Sequence, residues 1–333
     1  MSSLHTGSTS ASRRAILQAF AGGLAAISVG VHAEEFPSRV IKIVVPYPPG
    51  AINDVLARAI ADQMTQSLKQ SVIVENRAGG NTLIGTQAVA TAKPDGYTLL
   101  QMPAAHAINA SLVPSLPYDS VKSFTPITLA ASAPFLLLTR KDSPVKNVRE
   151  LVQLAKDKPG HYSFGSSGTG GNAHLMGELL QAVAGIKMLH VPYKGTAPVI
   201  NDLIGGQLDY TFSTYSGAAA ALKADRVKVL AITSAERSPA FKDYPTIAEA
   251  GYPTYDIEGW WAFAAPANTP PAIVERLNKA VVDAVKAPDL APKLAMEGIR
   301  VRGTTPKEFE TFLNKEIETW RKIIKDRGIK LDA

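Results

Sequence analysis

Val40-Ile41-Lys42-Ile43-Val44-Val45-Pro46-Tyr47-Pro48-Pro49-Gly50-Ala51-Ile52-Asn53-Asp54 joins a β-branched run to a proline- and glycine-rich turn and then to a polar pair. The first six residues suit a strand, which the prolines end. Leu56, Ile60, Met64 and Leu68 follow at the spacing that puts them on one face of a helix. Asn53 or Asp54 is the expected N-cap. Strand, loop and amphipathic helix form the repeating unit of an α/β fold.

The same unit recurs along the chain. Residues 72–74 read as a strand leading through a loop into a helix over 84–92, and Asp95-Gly96 turns into a strand over 97–101. Extended apolar stretches at 127–131 and 135–139 are expected to cross into a second lobe. That lobe holds a helix from Val148, a strand over 162–164 and a helix carrying Leu175, Leu179, Leu180 and Val183. A strand over 188–191, a helix ended by Gly205-Gly206 and a strand over 208–212 continue it, with 227–232 as the return crossing. A strand over 261–265 and helices near 273–285 and 307–327 complete the first lobe. The expected division is residues 34–130 and 235–333 in lobe one and 131–234 in lobe two.

Length and composition agree with two packed lobes: 333 residues, 46% apolar and 19% charged. At the N-terminus, Arg13-Arg14 precedes an apolar run over 15–31 that ends in Val31-His32-Ala33, the pattern of an export signal cleaved near Ala33. Residues 12–17 also resemble a twin-arginine signal, so the Sec and twin-arginine routes both stay open. Cleavage removes Arg13 and Arg14 and no acids, lowering the formal charge from +6 to +4. Without any run of Lys or Arg, that surplus suits small anions rather than nucleic acid. The absence of cysteine excludes disulfides and thiolate metal sites.

Three loops, over residues 47–54, 166–174 and 193–198, each run from a strand into a helix start. Helix-opening N–H groups lack partners and lie at the positive end of the dipole, so they attract carboxylate or phosphate. The hydroxyls of Ser166, Ser167, Thr169 and Thr196 can donate without adding charge. Any one loop taken alone reads more simply as a capped connection than as a binding loop. Gly168-Thr169-Gly170-Gly171-Asn172-Ala173 fits the dinucleotide pattern G-x-G-x-x-A, but no acidic residue ends the following strand to hold a ribose. The six histidines, at 5, 32, 106, 161, 174 and 190, show no metal-ligand spacing. Trp260 and Trp261 are adjacent on a strand and point to opposite faces, one into the core and the other either lining a cleft or shielding a hinge. Tyr47, Tyr193 and Tyr215 are candidate walls. A hydrolase using Ser167 with His174 or His106 is the rival from another class.

The chain resembles the Bug-type receptors, the solute-binding components of tripartite tricarboxylate transporters. The resemblance runs over residues 36–332. It rests on Val45-Pro46-Tyr47-Pro48-Pro49-Gly50 with Asp54, Val74-Glu75-Asn76-Arg77, Pro94-Asp95-Gly96-Tyr97 and Leu116-Pro117-Tyr118-Asp119. It continues with Ser166-Ser167-Gly168-Thr169-Gly170 and His174-Leu175, Val191-Pro192-Tyr193-Lys194-Gly195 with Ala197-Pro198, Gly205-Gly206-Gln207-Leu208-Asp209, and Pro245-Thr246-Ile247-Ala248-Glu249-Ala250-Gly251-Tyr252-Pro253.

The resemblance implies a type II periplasmic-binding-protein fold, two α/β lobes joined by two hinge crossings with a small carboxylate in the cleft between them. It also implies no catalysis, no cofactor, no metal and no nucleic acid. The partners would be membrane permease subunits, the receptor acting as a monomer, with a ligand-presenting sensor as the alternative. In relatives the Pro48-Pro49-Gly50 loop meets a ligand carboxylate, partly through ordered waters. Ala51 stands where relatives usually carry a second glycine, and its methyl narrows the approach. Loops and resemblance together make the candidate ligand set Tyr47, Pro49, Gly50, Ala51, Asn53, Asp54, Asn81 and His106 from lobe one. Lobe two supplies Ser166, Ser167, Thr169, Gly170, His174, Tyr193, Gly195, Thr196 and Ala197.

Overall fold

The computed structural model describes residues 2–3 and 35–330, so the expected leader with Arg13, Arg14 and Ala33 lies outside the described residues. The described residues from Arg39 onward form one compact unit. Eleven strands are described in this unit. They are β1 (Ile41–Val45), β2 (Val72–Asn76), β3 (Thr98–Pro103), β4 (Phe124–Pro134), β5 (Leu136–Arg140), β6 (Ser163–Ser166), β7 (Leu189–Pro192), β8 (Tyr210–Ser213), β9 (Val227–Ile232), β10 (Glu258–Pro266) and β11 (Arg300–Val301). They make two sheets, ordered β11-β4-β10-β3-β1-β2 and β7-β6-β8-β5-β9.

β1 lies between β2 and β3 and is parallel to both. A parallel strand covered on both faces reads as a continuous apolar run, which is why Ile41, Ile43, Val44 and Val45 are all buried. Helix α1 (Ile52–Leu68) buries Leu56, Ile60 and Met64, whereas Leu68, at its last turn, is only half-buried. The long β10 is antiparallel to β3 and β4, inserting a late segment of chain into the middle of the first sheet.

The second sheet is also covered on both faces. On β5, Leu137 packs in the layer with Phe164 and Leu175, while Leu136 and Leu138 face Val199 and Leu203. Alternate residues of a strand point to opposite faces, so three consecutive leucines serve two cores.

Only Phe135 separates β4 from β5. Residues 227–232, the candidate return crossing, are a strand of the second sheet. They form β9, an edge strand antiparallel to β5, because this β-branched run satisfies its backbone on the second sheet before leaving it. The remaining helices are α2 (Leu83–Ala90), α3 (Ala105–Leu112), α4 (Val148–Asp157), α5 (Asn172–Ala184), α6 (Thr196–Ile204), α7 (Tyr215–Lys223), α8 (Pro271–Val285), α9 (Ala291–Met296) and α10 (Pro306–Arg327). Helix α10 opens with a Thr305/Glu308 capping box and lays Phe309, Leu313, Ile317 and Trp320 against the first sheet and α3.

Candidate functional site: an anion cradle at converging helix starts

A cavity of about 700 Å³ is lined by loops that leave the strands of both sheets. On the first sheet, the turn after β1 contributes Tyr47, Gly50, Ala51, Ile52 and Asn53. The helix starts earlier than expected: Ala51, extended at φ −69° and ψ 158°, is the N-cap, and Asn53 and Asp54 lie within the first turn. Asp54 reaches back to accept the Gly50 N–H at 2.9 Å, and its other oxygen takes Asn76 Nδ2 and Arg58, each at 2.9 Å. Burial opposes its charge, but these bonds outweigh it and hold the carboxyl below its ordinary value. Asp54 therefore braces the loop, consumes the Gly50 amide and does not line the cavity. Gly50, at φ +81°, needs glycine for its backbone. The first-turn amides of Ile52 and Asn53 have no carbonyl partner within the helix.

Behind that turn, Trp261 Nε1 donates to Asn53 Oδ1 at 2.8 Å. Trp260 turns the other way: its Nε1 donates to Glu316 on α10 at 2.8 Å and its ring meets Phe309 and Phe312. Both residues line the cavity, and Trp261 is the one whose indole bonds the turn after β1. Asn81 also lines the cavity. Its Nδ2 donates to Asn109 Oδ1 at 2.7 Å, and Asn109 Nδ2 returns a bond to the Asn81 carbonyl, holding the positive φ of Asn81 and Thr82.

The start of α3 lines the cavity through Pro103, Ala104 and Ala105, but His106 does not. It is wholly buried, bonded to the Ser120 carbonyl at 2.8 Å and packed on Tyr118 and Phe124. Burial pushes its pKa down to about 4. Position on the inner face of α3 decides this.

On the second sheet, Ser167, Gly168 and Thr169 line the cavity with Gly171 and Asn172 at the start of α5, and Thr196 does so at the start of α6. Ser166 is turned inward: its Oγ donates to the Gly168 carbonyl at 2.9 Å and meets His190 Nε2 at 2.7 Å. His174 Nδ1 accepts the Gly170 N–H at 3.0 Å, and its ring stacks on His190 with centroids 3.7 Å apart. Ser166, Gly170 and His174 shape the loop from behind rather than line the cavity. The Ser166–His190 contact is a brace: the serine is 1% exposed and its proton is engaged by Gly168. Tyr193 likewise points away, donating to Asp202 at 2.7 Å, with burial foremost and Asp202 next raising its pKa to about 12. Gly195 is the N-cap of α6, and Pro49, Gly195 and Ala197 do not line the cavity.

A fourth start, that of α7, was not among the loops singled out from the sequence. Ser213, Thr214, Ser216 and Gly217 line the cavity there. Thr214 caps the helix by accepting the Gly217 N–H at 3.2 Å. The signal was present as a strand followed by two hydroxyls and a helix, but the turn has no glycine before the helix. Tyr215, the one residue noted there, packs on Phe241 instead.

Among the described residues no Lys, Arg or His lines the cavity, and the one carboxylate that does, Glu297, is exposed. Positive potential is supplied by helix starts and donors by backbone and hydroxyls, an arrangement suited to a small anion.

Residues 56–329 match the family model described as "Tripartite tricarboxylate transporter family receptor". The chain belongs to this family. The receptor is 34% identical over 309 residues to Protein BugT of Bordetella pertussis, covering 92% of this chain and 95% of that protein. Among solved structures it is similar to R. palustris Rpa4515 with adipate (34% identity, TM-score 0.80, 90% of this chain and all of that one). It is also similar to MatC from Rhodopseudomonas palustris with bound malate (32%, TM-score 0.76, 87% of this chain and all of that one). The receptor is accordingly a periplasmic solute-binding protein of the Bug type, with the two-lobed periplasmic-binding-protein fold, and not an enzyme.

Proposed function

We propose that the receptor captures a small carboxylate in this cavity by closing its two lobes, and delivers it to the membrane permease subunits of a tripartite transporter. The observation that carries this reading is the convergence of helix starts from both sheets on one cavity to which no described residue brings a cationic side chain. A carboxylate touching both walls favours the closed form, because only that form offers all the donors at once. In this reading residues 34–130 with 235–333 move against residues 131–234, pivoting near Phe135 and Thr233. Ser167, Thr169, Thr196 and Ser216 supply hydroxyls from one wall, while Asn53 and the amides after Ala51 act from the other. Tyr47 and Asn81 flank the ligand. The adipate of Rpa4515 and the malate of MatC support a dicarboxylate of four to six carbons as the first class to test. The protein acts as a monomer after export through the leader over residues 1–33.

The test is a thermal-shift screen of mature protein against mono-, di- and tricarboxylates, followed by calorimetry on the hits. One-to-one binding with a melting temperature that rises with ligand concentration is expected. A flat response across the panel removes the reading.

A further inference from the structure

Trp261 and Asn53 are 208 residues apart in sequence and meet at the cavity wall. An indole N–H only donates, so the end of the Asn53 amide that faces it must be the oxygen. The amide is planar, and with Oδ1 held by Trp261 the opposite end, Nδ2, is left toward the cavity that Asn53 lines. Asn53 Nδ2 makes no hydrogen bond to another described residue, although Asn53 is only 8% exposed. The backbone is held too, Gln101 Nε2 donating to the Asn53 carbonyl at 3.2 Å. Gln101 Oε1 is itself buried and unbonded, so it does not take up the Asn53 donor.

A donor with no protein partner on a cavity-lining side chain is available to an acceptor oxygen of a ligand. We propose that Asn53 Nδ2 is a ligand-contacting donor of the first wall, and that Trp261 is the positioning residue that aims it. Resting on the carboxylate reading of the cavity, this assigns the Asn53 end of the site to an acceptor oxygen. It rejects a ligand presenting an ammonium or amide N–H there, since two donors would then face each other. Trp261 senses occupancy directly through its bond to the contact residue.

The test uses mature protein titrated with adipate and malate by calorimetry and by tryptophan fluorescence. Asn53→Asp keeps an oxygen for the indole and turns the other end of the group into a carboxylate. Affinity is expected to fall by roughly a hundredfold at neutral pH, with the ligand-free melting temperature unchanged. It is expected to recover partly as acid protonates the introduced carboxyl and restores a donor. Trp261→Phe frees the amide to rotate, with an expected loss of about three- to tenfold and of most of the ligand-dependent fluorescence change. Wild-type affinity in Asn53→Asp would show that Asn53 merely props the indole, overturning the assignment alone. A wild-type protein that binds no carboxylate overturns the reading of the cavity and this inference with it.

Discussion

Phe135 and Thr233 hold each other across the two crossings: the Phe135 N–H donates to Thr233 Oγ1 at 2.8 Å, and the Thr233 N–H donates to the Phe135 carbonyl at 3.0 Å. Thr233 is wholly buried, and its own carbonyl accepts the Ile257 N–H at 3.1 Å. Outgoing and returning chain are thereby joined at one point, with the Phe135 ring lining the cavity. Any change in the angle between the sheets acts on a residue that the ligand can reach.

Thr233→Val keeps the shape and removes the acceptor, leaving the Phe135 N–H buried and unpaired. Stability is expected to fall by about 1–3 kcal/mol, read from the midpoint of urea unfolding, with Thr233→Ser restoring most of it.

Gly259 lies against the same ring, and a Cβ there would come 2.8 Å from Phe135 Cε2. Gly259→Ala is expected to cost about 1–3 kcal/mol through overpacking and to weaken ligand binding, because the displaced ring moves into the cavity. Unchanged affinity in calorimetry would place the ring outside the closure path.

Ser167→Ala and Ser216→Ala each remove one hydroxyl from the second wall. Each is expected to weaken the best carboxylate by about 1–3 kcal/mol, with no change in the melting temperature of the empty protein. Thr214→Ala, by contrast, is expected to cost about 1 kcal/mol of stability by uncapping α7.

His106 predicts a pH dependence of stability. The unfolded chain takes up this proton near the ordinary value of 6.5, while burial holds the folded side chain down to about 4. The unfolded state therefore binds more protons between those values, and stability present above pH 6.5 is lost as pH falls toward 4, on the order of 3 kcal/mol. His106→Asn is expected to remove this slope from urea midpoints measured across the window. Asp54 adds a loss at lower pH, its stabilisation fading as pH falls through its depressed value.

Local rules made much of the site legible. Glycines, hydroxyls and the change from strand to helix period lie within a few residues of one another, so the loops before α1, α5 and α6 could be found without a fold. The direction each side chain takes depended in part on packing beyond those neighbours. Asp54 is drawn to Gly50, Asn76 and Arg58, His174 to the Gly170 amide, and His106 to Ser120 in the core. Gly50, Arg58 and Gly170 lie four residues from their partners, but Asn76 and Ser120 lie 22 and 14 residues away and are not implied by the neighbourhood in sequence.

The sequence by itself determined that β1 opens an α/β unit and that Trp260 and Trp261 face opposite ways, because alternation is a property of any strand. Only the tertiary structure decided which indole bonds the turn after β1 and which bonds α10. That choice follows from β10 lying antiparallel between β3 and β4, with Trp261 opposite Pro103 and Ala131. The register is a long-range pairing set by which apolar face the sheet must bury, and it carries Trp261 to Asn53 and Trp260 to Glu316.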